Sequence, residues 1–303
     1  MGGAPPCLVA KGYVSYCFGK VGPPRSLGPA RVGRAPPGRR PGGRRRPVGR
    51  DGLGAGLVGG RMTDACPGVP LIELRDAAFG WRGRPAVHGI SGGFAAGSMT
   101  AVAGPNGAGK STLIKGIVGL MRPLAGTLRI AGGARRGLAW LPQAADLDRT
   151  FPITVLDMVA MGAWRRVGPW RRFNAAETER TWQALELVGL VGEAGRIVGS
   201  LSGGQMQRAL FARLMLQDAQ VLLLDEPFAA VDSHTADALM RLLCAWHAEG
   251  RTVVAVLHDL ALVRRHFGQT LLLAGRQVAW GPTAEVLTPG HLAAARGAPR
   301  EWL

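Results

Sequence analysis

Gly104-Pro105-Asn106-Gly107-Ala108-Gly109-Lys110-Ser111-Thr112 is the stretch from which the rest of this chain can be read. It has the form Gly-x-x-x-x-Gly-Lys-Ser, it follows the short apolar run Met99–Ala103, and it opens a helical run over Thr112–Leu120. Strand, glycine-rich turn and helix in that order build a cradle for phosphate. The glycines let backbone N–H groups turn inward around the anion, and the helix N-terminus adds a favourable dipole. Lys110 brings a positive charge to the outer phosphates, and Ser111 offers a hydroxyl to a magnesium ion.

Two further apolar runs, Val221–Leu224 and Val253–Leu257, read as buried parallel strands. Each ends at a polar feature, Asp225-Glu226 in one case and His258 in the other. In a doubly wound sheet the carboxyl ends of the strands share one crevice. The glycine loop, Asp225, Glu226 and His258 are therefore expected to meet at one ligand. Asp225 would emerge where the metal sits, and Glu226 would serve as general base for a water, an assistance worth about 10²–10⁴-fold. Between Thr150 and Leu201 the pattern turns helical, over Thr154–Trp164 and Ala175–Val188, with the basic and aromatic stretch Arg165–Phe173 between them. Leu201-Ser202-Gly203-Gly204-Gln205 then opens a helix over Met206–Leu216. Ser202 is a good N-cap, but the two glycines weaken a helix start while exposing N–H groups. They argue for more than a cap.

Composition sets the outer bounds. The chain has 303 residues, of which 47% are hydrophobic, enough for a substantial core. No run approaches the roughly 18–20 uncharged apolar residues of a membrane-spanning helix, so any pore this protein serves is expected to be another chain. The net charge of +17 is uneven: residues 1–61 hold 12 of the 37 Lys and Arg but one of the 20 Asp and Glu, along with 16 Gly and 9 Pro. Such a segment is too rich in Gly and Pro for a packed unit. It is expected to be either disordered or the product of a misassigned start upstream of Met62. A nucleic-acid partner would rest mostly on this segment and is not expected. The cysteines Cys7, Cys17, Cys66 and Cys244 show no metal-ligand spacing and are expected to be free thiols in a reducing cytoplasm.

Taken with Gln143, Pro227 and Asp232, these pieces resemble the ATP-binding cassette (ABC) family over residues 70–300. The resemblance implies an α/β fold: a P-loop NTPase (RecA-like) core with an inserted α-helical subdomain at about 150–216. It implies ATP and Mg²⁺ as cofactors, with Gly104 through Thr112 around the phosphates. Ser111, Gln143 and Asp225 would lie around the metal. Glu226, His258 and Gln143 would be catalytic, His258 reaching the γ-phosphate and Gln143 the water. Trp81 stands where the family places an aromatic, often Tyr, against adenine, and Phe79 is its rival. Ser202, Gly203, Gly204 and Gln205 would bind the γ-phosphate of ATP held by a second cassette, and Asp232 would couple the two sites. One phosphate loop and one signature per chain imply a partner cassette, most simply a second copy.

Leu141-Pro142-Gln143, Asp148 through Val155, Val159-Ala160-Met161-Gly162, Trp164-Arg165-Arg166 and Gly281 through Leu287 look like the cassettes of zinc and manganese uptake systems. That likeness implies a peripheral ATPase at the cytoplasmic face of the membrane. It would power import of a divalent metal through a separate permease fed by an extracytoplasmic metal-binding protein. Cassettes for iron-siderophore, haem and cobalamin uptake share parts of the pattern and stay open as alternatives, and a non-transport cassette is a more distant one. Trp164 and Trp170 are expected to anchor the permease.

Overall fold

The structure is a computed structural model that describes residues 70–131, 137–168 and 173–297. The expectations for residues 1–61 and for Trp170 lie outside these residues.

A three-stranded antiparallel sheet, in the order β2-β1-β4, opens the fold. It consists of β1 (Ile72–Trp81), β2 (Arg84–Phe94) and β4 (Ala125–Ile130). Ile72 and Leu74 of β1 are buried while Arg75 is exposed, as expected of a sheet with one face on the core. The second sheet has six strands in the order β5-β6-β7-β3-β8-β9. These are β3 (Met99–Ala103), β5 (Leu138–Leu141), β6 (Val221–Asp225), β7 (Thr252–Val256), β8 (Gln269–Leu273) and β9 (Gln277–Pro282). All neighbours pair in parallel except β8 with β9. Every residue of β3, β6 and β7 is buried, which explains why they read as unbroken apolar runs rather than alternating ones.

Helix α1 (Lys110–Val118) leads from β3 and carries buried Leu113, Ile114 and Ile117 into the cluster that contains Phe79, Val87 and Ile90. Phe79 lies directly on Gly116, where a Cβ would collide with its ring. Between β5 and β6 lie α2 (Val155–Ala160), α3 (Trp164–Val167), α4 (Ala175–Leu187) and α5 (Gly203–Gln217). Their Val155, Val159, Leu185, Leu210 and Phe211 are buried in a common cluster. The remaining helices are α6 (Ser233–Ala248), α7 (Leu260–His266), α8 (Thr283–Val286) and α9 (Pro289–Arg296).

Helix α1 begins and ends two residues earlier than the expected Thr112–Leu120, and two further boundaries differ from the sequence reading for reasons of packing and capping. The single helix expected over Thr154–Trp164 is interrupted by a 3₁₀ turn at Met161–Ala163. Gly162 there lies so close to α5 that a Cβ would strike the Arg213 carbonyl, so the backbone is shaped by packing against a distant segment. Helix α5 starts at Gly203, not Met206, because Ser202 and Gln205 form a capping box around the glycines.

Candidate functional site

A cleft of about 740 Å³ is lined by Ala86, the loop from Asn106 to Thr112, Gln143, Glu226 and His258. Apart from Ala86 on β2, its walls come from the segments that follow β3, β5, β6 and β7, brought together by their parallel alignment. Gly109, at φ 85°, is the N-cap of α1 and makes no side-chain cap hydrogen bond. A Cβ there would meet the Ala86 carbonyl at 2.6 Å and Val87 Cβ at 2.7 Å. Only glycine lets β2 lie against the loop with the backbone in this left-handed region.

Lys110 is buried, and its Nζ donates to the carbonyls of Gly104 and Pro105 at 2.9 and 2.8 Å. Burial holds its pKa below the ordinary lysine value, against the opposing charges of Glu226 and Asp225. Ser111 Oγ donates to Asp225 Oδ1 at 3.0 Å. The Asp225 carboxyl is pushed up to about 6, first by burial; the Ser111 hydrogen bond opposes this and the Glu226 charge adds to it. Its second oxygen, Oδ2, is buried without a hydrogen-bond partner. An orphaned carboxylate oxygen beside a serine hydroxyl is a hard-oxygen donor set of the kind Mg²⁺ takes in phosphate sites, so these residues fit that ion.

Glu226 occupies the left-handed region at φ 50°, a backbone cost of about 1–3 kcal/mol for a non-glycine residue. The strained turn brings its Oε1 within 2.6 Å of His258 Nε2. A carboxylate and an imidazole so paired at the mouth of a phosphate loop can hold a water and receive its proton.

The other sequence-predicted residues lie elsewhere. Ser202, Gly203, Gly204, Gln205, Asp232 and Trp81 do not line the cleft. The Ser202 side chain accepts from Gln205 N at 3.2 Å, and Gln205 Oε1 accepts from Ser202 N at 2.9 Å. Asp232 is the N-cap of α6, accepting from Thr235 N and Thr235 Oγ1 at 2.9 and 2.8 Å. Phe79 is fully buried, whereas Trp81 is 57% exposed at the end of β1, so Phe79 is a core residue and the free indole belongs to Trp81. Ala86 was missed, since an alanine on a neighbouring strand carries no signal of its own. Lys115 and Asp146, paired at 2.7 Å beside the cleft, were also missed.

The parallel sheet, the glycine loop and the Ser111–Asp225 pair define a P-loop nucleotide-binding protein. Comparison with known proteins narrows the class. The family described as ABC transporter matches residues 87–229. The manganese transport system ATP-binding protein MntB of Listeria monocytogenes is 37% identical over 230 residues, 75% of this chain and 96% of that protein. The zinc transport system ATP-binding protein TroB of Treponema pallidum is 36% identical over 78% of this chain and 90% of its own length. Among solved structures, a dimeric bacterial ABC transporter cassette superposes with a TM-score of 0.61 at 26% identity, covering 70% of this chain and 98% of that one. The chain belongs to the ABC transporter family and is an ATP-hydrolysing cassette of it.

Proposed function

We propose that this protein powers the uptake of a divalent metal ion, manganese or zinc, through a separate membrane permease. The observation that carries this reading is the near full-length match to relatives named for manganese and zinc transport. Among the described residues no helix is long and apolar enough to cross a membrane, in keeping with a pore supplied by another chain. Trp164, 42% exposed on α3, is offered as an anchor for that permease, because exposed tryptophan beside arginine is a frequent interface hot spot.

The working parts follow from the cleft. The loop N–H groups and Lys110 bind and orient the phosphates, and Trp81 stacks on the adenine. Ser111, Asp225 and Gln143 would hold Mg²⁺, which when bound neutralises phosphate charge. Glu226 takes the proton from a water that His258 and Gln143 help to orient. The Ser202-Gly203-Gly204 turn serves the cleft of a second copy, which Asp232 couples to its own. Total cell Mn, Zn and Fe, measured after deletion of the gene in chelator-limited medium, tests the reading. A selective fall in Mn or Zn, restored by the wild type and not by Glu226→Gln, is expected. A fall in Fe alone would move the assignment to iron-chelate uptake.

A further inference from the structure

Gln143 leaves the sheet from β5, which is an edge strand with a single neighbour, β6. It stands at the head of a 3₁₀ turn over Ala144–Asp146. On one side this segment is held by Ala144 and Leu147, which pack against the cluster that includes the helical region. Further on, Arg149 Nη1 reaches the Leu201 carbonyl at 3.5 Å. The tie on the other side is ionic: Lys115 Nζ lies 2.7 Å from Asp146 Oδ2, with both side chains partly buried.

Lys115 belongs to α1, and it lies four residues after Ser111. Positions i and i+4 share one face of a helix, so a single face of α1 makes two connections. Ser111 reaches Asp225 at the end of β6, and one turn later Lys115 reaches Asp146 beyond β5. Partly exposed ion pairs contribute little to overall stability, but one that joins two short segments flanking a cleft can fix their spacing.

We propose that Lys115 and Asp146 are positioning residues for ATP hydrolysis: their ion pair holds the segment that carries Gln143 in register with the helix that carries Lys110 and Ser111. The inference rests on the reading of Gln143 as a group that acts in the cleft. It competes with a plainer account, in which Lys115 only complements the dipole in the last turn of α1. That account gives Asp146 no role.

The test uses the purified full-length chain and MgATP turnover, with kcat and KM measured separately for Asp146→Asn, Lys115→Met and the reversed pair Lys115→Asp/Asp146→Lys. Small misplacements of a catalytic group can cost up to about 10²-fold in rate. Each single variant is expected to lose roughly 10-fold in kcat with KM held within about 2-fold, and the reversed pair to recover most of the loss. Unchanged kcat in Asp146→Asn, alongside a large loss in Gln143→Ala, would overturn the proposal and leave the role of Gln143 standing. So would a loss in the single variants that the reversed pair fails to repair. Unchanged kcat in Gln143→Ala would instead remove the reading on which the proposal rests.

Discussion

The starts of α1 and α5 are built from the same device, a glycine-bearing turn that leads into a helix, yet they are finished in opposite ways. Gly109 gives α1 no side-chain cap, and its first turn lines the cleft. Ser202 and Gln205 close α5 with a capping box, and that turn lies outside the cleft. An uncapped helix start directs its orphan N–H groups at an anion. A capped one can stand alone in solvent, with the box serving Ser202 and Gln205 and not Gly203 or Gly204. The difference is what the proposed pairing of two copies would need: a loop left open for phosphate in one chain, and a self-contained Ser202 turn that could be offered to the cleft of another.

The sharpest way to break this comparison is to disable one half at a time. Lys110→Ala and Ser202→Arg are each expected to abolish ATP turnover alone. Mixing the two purified variants should restore part of it, because one of the two composite sites in a mixed dimer pairs an intact loop with an intact Ser202 turn. A mixture as inactive as its components would show that the two halves do not meet across copies.

A second test concerns the buried carboxylate beside the open loop. Asp225 titrates near 3.8 when unfolded and near 6 in the fold. Below about pH 4 it is protonated in both states and carries no penalty. Between pH 4 and 6 only the unfolded chain ionises, so stability falls as pH rises, and above 6 the penalty is constant. Asp225→Asn should therefore raise stability at pH 7.5 by about 2–3 kcal/mol in nucleotide-free, magnesium-free buffer, read by urea denaturation, while turnover is lost. The gain should shrink towards pH 4. A variant less stable than the wild type at pH 7.5 would contradict the burial argument.

The smallest effect belongs to the Ser202 turn. Ser202→Ala removes one cap bond and should cost about 1 kcal/mol of stability. ATP affinity of the monomer, measured by titration at low protein concentration, should stay unchanged. A drop in that affinity would mean that α5 contributes to the cleft of its own chain.

What could be read in advance followed the physics of each region. The buried parallel strands β3, β6 and β7 were legible because both faces are covered, which leaves a largely apolar run that ends at the glycine loop for β3, at Asp225 for β6 and just before His258 for β7. The break at Met161–Ala163 was not, because it comes from Gly162 meeting a carbonyl some fifty residues away. The glycine loop, Asp225, Glu226 and His258 were placed together by the rule that strand ends share a crevice, whereas Gln143 was placed there only by the resemblance to the family. The Ser-x-x-Gln and Asp-x-x-Thr spacings at Ser202 and Asp232 are ordinary capping patterns. The Ser202 cap was read in advance, but its reciprocal partner Gln205 and the cap at Asp232 were passed over in favour of roles at the nucleotide. The Lys115–Asp146 pair joins residues from two elements and had no local signature beyond the four-residue step from Ser111.

Lys110 carries a last consequence. An ammonium has three N–H vectors, and two of them are engaged by Gly104 and Pro105. The side chain is thus a strut of its own loop before it is a ligand for anything else, with a single vector left to point outward. A planar guanidinium has no such tripod. Lys110→Arg would keep the charge and still deform the cradle, so shape and charge at this position cannot be traded for one another.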